Sequence, residues 1–100
     1  MTTLKIWDAA EHLKTDEDII AYLDAALEEG DAQLFAAALG DVARARGMSD
    51  VARNAGLGRE GLYKALSDKG NPEFATILKV MAALGLTLKA DSAPSSEAAQ

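Results

Sequence analysis

The sequence predicts an all-α fold, and three observations carry that prediction. Apolar residues recur with a period near 3.6 along almost the whole chain, period-two alternation is confined to the two ends, and helix start and stop signals punctuate the interval between them. One hundred residues, 49% hydrophobic and without cysteine, make one small domain that lacks the ligands for a disulfide framework or a thiolate zinc site. A core of this size buries roughly 60–65% of the unfolded surface, which is marginal and favours association with another copy or a partner.

The first helix is predicted over 16–29. Thr15 and Asp18 have the spacing of a capping box with Asp in place of Glu, and Asp16, Glu17 and Asp18 place negative charge where the helix dipole favours it. Ile19, Tyr22, Leu23, Ala26 and Leu27 form its apolar stripe, and Gly30 can end it in a left-handed conformation. Asp31 then caps an alanine-rich second helix over 32–46, with Leu34, Phe35, Ala38, Leu39 and Val42 as its stripe and Gly47 as its end. Gly40 costs about 1 kcal/mol relative to alanine in that helix, so it marks either a close helix contact or a harmless exposed position.

Two short helices follow, 49–55 and 59–66, separated by Gly56-Leu57-Gly58. Asn71-Pro72 opens a fifth, since proline at the first helical position loses no hydrogen bond. Phe74, Ile77, Leu78, Met81 and Leu84 are its expected buried face, and Gly85 ends it. Leu86-Thr87-Leu88-Lys89-Ala90 alternates in the manner of a short C-terminal strand, and 91–100 reads as a disordered Ser/Ala/Pro/Glu tail. Residues 1–14 form an N-terminal arm, extended at Leu4-Lys5-Ile6-Trp7, with Trp7 as a lid on the core and His12 as a surface or packing histidine. The domain proper is expected over 15–90.

The most specific signal lies within 48–67. Ala52, Gly56 four residues on, Leu57 directly after it and Leu62 six residues after the glycine have the spacing of a helix-turn-helix. Ala52 lets two short helices cross closely, Gly56 takes the left-handed turn, and Val51, Leu57 and Leu62 seal the corner. In such a unit the second helix enters the major groove while the first crosses the phosphate backbone. Arg59, Glu60, Tyr63 and Lys64 face away from Leu62 and Leu66 and are the residues placed to reach DNA, Arg59 and Lys64 foremost. Arginine bonds guanine bidentately, glutamate accepts from the cytosine amino group, and tyrosine or lysine serves phosphates or base edges. Arg53 and Asn54 before the turn, and Ser67 and Lys69 after the recognition helix, are candidate phosphate contacts. Glu60 and Lys64 also have the spacing of an ordinary i,i+4 surface pair.

The net charge of −6 argues against a nucleic-acid partner only until it is divided. Residues 1–40 carry nine carboxylates against Lys5 and Lys14, whereas residues 41–70 carry six cations against four carboxylates. The expected DNA reader is therefore mildly basic and the N-terminal part strongly acidic. Affinity for DNA comes largely from phosphate neutralisation, so so weak a charge implies a homodimer with two recognition helices about 34 Å apart. The fifth helix, the 86–90 segment and Trp7 are candidates for its interface.

With these residues in view, the sequence resembles the HigA-like antitoxins of the addiction module antidote family, a branch of the Xre/Cro-like (lambda repressor-like) helix-turn-helix proteins. The likeness runs to about Ala90. Its carriers are Trp7-Asp8-Ala9-Ala10-Glu11-His12-Leu13, Asp18-Ile19-Ile20-Ala21-Tyr22-Leu23, the run from Ala36 to Met48, the turn and recognition helix from Gly56 to Leu66, and Gly70-Asn71-Pro72-Glu73-Phe74-Ala75-Thr76 with Leu84-Gly85-Leu86. The resemblance implies a cytoplasmic type II antitoxin that neutralises a small basic toxin of the RelE/ParE type and represses its own operon. From the residues themselves, no paired carboxylates, Ser/His/Asp set or glycine-rich phosphate loop is found, and one histidine without cysteine is too few for a metal cluster, so neither enzymatic activity nor a cofactor or metal is expected. The acidic N-terminal part suits a basic partner physically. A stand-alone transcription regulator, or a protein-interaction module that does not bind DNA, is the alternative on the same fold.

Overall fold

The first two helices begin where their capping residues, Thr15 and Asp31, put them. The computed structural model describes residues 12–67 and 69–93. Among them it contains five helices: α1 (Asp16–Glu28), α2 (Ala32–Arg46), α3 (Met48–Ala55), α4 (Arg59–Ala65) and α5 (Phe74–Ala83). At the start of α1 the Thr15 hydroxyl accepts from the Asp18 N–H at 3.0 Å while the Asp18 carboxylate accepts from the Thr15 N–H at 3.2 Å. The capping box is thus formed with Asp in the Glu position, and these bonds, the Thr15 backbone first, hold the Asp18 carboxyl below the usual carboxylate value. Asp31 caps α2 by accepting from the N–H groups of Gln33 and Leu34 at 2.9 and 3.2 Å.

Helix α2 packs against α1 and α3, and α3 in turn packs against α4 and α5. Leu39, Val42 and Ala43 of α2 are fully buried, and Leu13, Ile19, Leu23, Val51, Leu62, Leu66 and Val80 complete the centre from the other segments. Of the two readings of Gly40, the close contact is the one observed. A Cβ at this position would lie 2.5 Å from the Leu66 carbonyl oxygen and 3.3 Å from the Leu66 Cβ, so only glycine lets α2 pass beneath the end of α4.

Several expectations are corrected. Helix α5 does not begin at Pro72: Glu73 is extended (φ −68°, ψ 153°) and serves as its N-cap. Residues 70–72 act instead as the connector from α4. Gly70 makes this possible, because a Cβ there would run into the carbonyl oxygens of Lys64 and Ala65. The buried face of α5 is Ile77, Val80 and Met81, with Leu84 half-buried, while Phe74 and Leu78 are 64% and 45% exposed. Apolar residues at 74, 77, 78, 80, 81 and 84 make two overlapping stripes, and packing against α3 selects the second. Leu27 and Leu34, expected in the core, are also exposed.

No strand forms at 86–90, and no strand occurs among the described residues. A strand needs a partner for its backbone groups, whereas here the helix end takes up Leu86. Gly85 is left-handed (φ 76°), its N–H donates to Ala82, and the Leu86 N–H donates to the Met81 carbonyl at 2.9 Å, which is a Schellman closure. Trp7 and most of the N-terminal arm lie outside the described residues, as does the end of the tail. No helix among the described residues is long and apolar enough to cross a membrane.

Besides the ion pair of Asp16 with Arg46, a half-buried polar contact ties α1 to α2. The Tyr22 hydroxyl donates to Asp41 Oδ2 at 2.5 Å, and Asp41 Oδ1 accepts from Arg44 at 2.6 Å. Burial first, then the hydrogen bond and charge of Asp41, push the Tyr22 phenol up to about 12 from 10.0. A folded-state value raised above the unfolded one stabilises the fold below pH 10 and ceases to do so as the pH rises through about 12. Tyr22→Phe is expected to cost about 1 kcal/mol at neutral pH. Urea denaturation of both proteins through that alkaline window should show the gap closing, and a gap independent of pH would refute the assignment.

Candidate nucleic-acid interface

The turn between α3 and α4 is built from its own backbone. Gly56 sits in the left-handed region (φ 73°, ψ 31°), its N–H donates to Arg53, and the Leu57 N–H donates to the Ala52 carbonyl at 2.8 Å. Leu57 packs half-buried against the core, and Val51 and Ala52 are buried beneath it. Gly58 stands at the N-cap of α4 in an extended conformation without a side-chain cap, and the helix is seven residues long. So short a helix has little stability of its own. Leu62 and Leu66, 1% and 0% exposed, fasten it to the core.

That anchoring fixes which side chains face out. Arg59, Glu60, Tyr63 and Lys64 are all exposed. The Arg59 guanidinium lies over the Tyr63 ring, 5.1 Å from its centroid, a cation–π contact one helical turn apart. Glu60, Tyr63 and Lys64 line one shallow hollow on the outer face of α4, and Arg59 and Tyr63 border a second with Arg44, Ser49 and Asp50. The i,i+4 pair of Glu60 with Lys64 is not among the ion pairs of the described residues. Both side chains remain available to solvent or a ligand.

The flanking candidates separate. Arg53 is exposed but bonded to Asp50 at 2.5 Å, and both side chains are more than 60% open to solvent. Such a surface pair is worth about 0–1 kcal/mol and exchanges readily for a phosphate. Asn54 and Lys69 are exposed and belong to neither hollow. The Ser67 hydroxyl donates to the Lys64 carbonyl at 3.0 Å, so its proton already closes the end of α4. Among the other cations of this half, Arg44 is paired with Asp41 and Arg46 with Asp16. Among the described residues, the basic excess of residues 41–70 thus reduces to Arg59, Lys64 and Lys69 outside ion pairs.

Arg44 and Ser49 were not singled out by spacing, yet they share the Arg59 and Tyr63 hollow. The signal for Ser49 is its place in the first turn of α3, the helix that crosses the backbone in a helix-turn-helix. Arg44 sits on α2, and only the tertiary crossing of α2 and α3 brings it there.

Comparison with known proteins gives the following. Residues 3–92 match the family described as probable addiction module antidote protein. A protein of Haemophilus influenzae (strain ATCC 51907 / DSM 11121 / KW20 / Rd), described as an uncharacterized protein, is 59% identical over 83 residues, which are 83% of this chain and 86% of that protein. No solved structure matches the chain.

Proposed function

The chain belongs to the probable addiction module antidote protein family, and on that ground we propose that it is a cytoplasmic, DNA-binding antitoxin that represses its own operon and neutralises a basic toxin of the RelE/ParE type. One observation carries the DNA reading. With Leu62 and Leu66 turned inward, α4 presents Arg59, Tyr63 and Lys64 together on an exposed face behind a tight turn, as a recognition helix does. Arg59 reads a guanine edge, Glu60 or Tyr63 a neighbouring base, and Lys64 a phosphate. Arg53, Asn54, Ser67 and Lys69 flank the face as backbone contacts. With so few cations outside ion pairs among the described residues, one protomer binds weakly, and a homodimer on a palindrome supplies the second set. This activity calls for no cofactor and no catalysis.

The test is titration of the chain against the DNA upstream of its own gene, with and without the co-encoded toxin. Saturable binding is expected, and no binding in either case overturns the repressor reading. A finer result is expected at Tyr63. Removing the ring in Tyr63→Ala frees the Arg59 guanidinium and forgoes a contact of about 0.5–1 kcal/mol per protomer, whereas Tyr63→Phe keeps it. Fluorescence anisotropy on operators changed one base pair at a time should show the alanine variant losing discrimination at a single position per half-site. Equal loss in the phenylalanine variant would assign the effect to the hydroxyl and not to the stacked guanidinium.

A further inference from the structure

The face of the molecule away from α3 and α4 carries an apolar trough. Two hollows, about 370 and 490 Å³, share Leu27, Phe35 and Leu88 and so run into one another. Their walls come from α1, the start of α2, the 70–72 connector, α5 and the 85–89 segment, and no residue of α3 or α4 takes part. Ile20, Leu27, Phe74 and Leu88 are between 37% and 64% exposed along it. Four large apolar side chains around one depression exceed the scattered single exposures that a monomer's surface ordinarily shows.

The charge of the rim says what kind of chain fits. Ile20, Asp24 and Leu27 fall at i, i+4 and i+7 on one face of α1, Asp31 borders the other end, and the exposed Glu28 follows Asp24 by one turn. Among the described residues, Lys89 is the cation in the lining. A second copy of this chain, docked symmetrically here, would bring these carboxylates against their own equivalents. The outer face of α5 around Leu78, which is exposed, lines neither hollow and has no carboxylate beside it on that helix, is better suited to self-association.

The geometry points to this trough as the docking site for an amphipathic segment of a basic protein, with apolar side chains set between Leu27, Phe35 and Leu88 and flanking Lys or Arg on Asp24, Glu28 and Asp31. The inference rests on the antitoxin reading and identifies the occupant as the toxin. Apolar anchoring slows dissociation, and the acidic rim steers approach and excludes acidic partners. Because the trough and the recognition helix share no residue, one chain can hold DNA and the basic protein together.

Two single variants test it, both at exposed positions that leave the core intact: Asp24→Lys and Leu27→Ser. Binding of the purified co-encoded toxin is followed by surface plasmon resonance, operator binding by anisotropy, thermal stability by circular dichroism and mass by analytical ultracentrifugation. Asp24→Lys is expected to weaken toxin binding about tenfold through a slower association that depends on salt, and Leu27→Ser by about as much through faster dissociation, with operator affinity unchanged. If the unaltered chain does not bind the toxin, the antitoxin reading and this inference fail together. If it binds and both variants bind equally well, the trough is not the site and the antitoxin reading stands. Unchanged toxin affinity with a lower assembly mass would make the trough a contact between copies. Unchanged affinity with lower thermal stability would mean that the chain's own terminal residues fill it. Either result overturns the proposal.

Discussion

Gly40→Ala is expected to destabilise this protein by about 1–2 kcal/mol, although the same change in an open helix stabilises it by about 1 kcal/mol. The sign turns on a single contact. A Cβ on residue 40 would stand 2.5 Å from the Leu66 carbonyl oxygen, well inside van der Waals distance, and the obstacle is backbone that no rotamer change removes. Relief requires α2 and the end of α4 to move apart, and overpacking of this kind costs about 1–3 kcal/mol, more than helix propensity returns. For a domain of this size that is a fall in Tm of about 5–10 °C. Gly61→Ala is the matched control, because it too lies within a helix but nothing stands within 4 Å of its added Cβ. It should raise Tm slightly. Since Leu66 helps to fix α4, Gly40→Ala should also weaken operator binding at temperatures where the variant is still folded. A Gly40→Ala protein as stable as the unaltered one would show that the α2 and α4 crossing is looser than these distances require.

This position shows where sequence reasoning reaches and where it stops. Helix propensity says that a mid-helix glycine needs a reason, and of the two candidates, contact depends on a distant segment whereas indifference needs only open solvent. Nothing within α2 decides between them, because Leu66 is 26 residues away and arrives only through the turn at Gly56. The elements whose evidence is local were legible: the capping box at Thr15, the Asp31 cap, the left-handed Gly56 and the limits of α2 are all fixed by residues within one turn of them. The elements that depend on what packs against them were not. Helix α5 carries enough apolar residues for two faces, and α3 chooses between them, so Phe74 and Leu78 turn outward. The 86–90 segment alternates like a strand, yet the Schellman closure at Gly85 ties its first residue to α5.

The candidate site divides on the same line. Arg59, Glu60, Tyr63 and Lys64 were placed on the outer face by their spacing from Leu62 and Leu66, a relation internal to one short helix. The stacking of Arg59 on Tyr63 follows from that i,i+4 spacing but was not foreseen, and the capture of Arg53 by Asp50 and of Ser67 by the Lys64 carbonyl is competition that a count of cations and hydroxyls cannot register. Charge partition by segment placed the basic excess in residues 41–70, the half that carries α3 and α4. Pairing then neutralises half of its cations, and the three that stand outside ion pairs among the described residues carry more of any DNA affinity.

Replacing both Arg59 and Lys64 by alanine is accordingly expected to lower operator affinity by roughly two to four orders of magnitude for a dimer, since each half-site loses a bidentate base contact of about 1–3 kcal/mol and a phosphate contact. Both side chains are exposed and neither is in an ion pair among the described residues, so folding stability should change by no more than about 1 kcal/mol, the worth of the lost Arg59–Tyr63 contact. The single variants should fail in different ways. Arg59→Ala relaxes the requirement for one base pair per half-site, whereas Lys64→Ala weakens all sequences alike and lowers the slope of log K against log salt by about 2 for the dimer. Anisotropy titrations over a range of salt concentrations separate the two effects. Toxin binding provides the internal control: it should survive the double change, because α4 contributes nothing to the acidic trough. A double variant that binds the operator like the unaltered protein would remove α4 as the reader and leave a protein-interaction module on a helix-turn-helix frame. One that loses toxin and operator together, with its Tm intact, would mean that the two partners compete for one face.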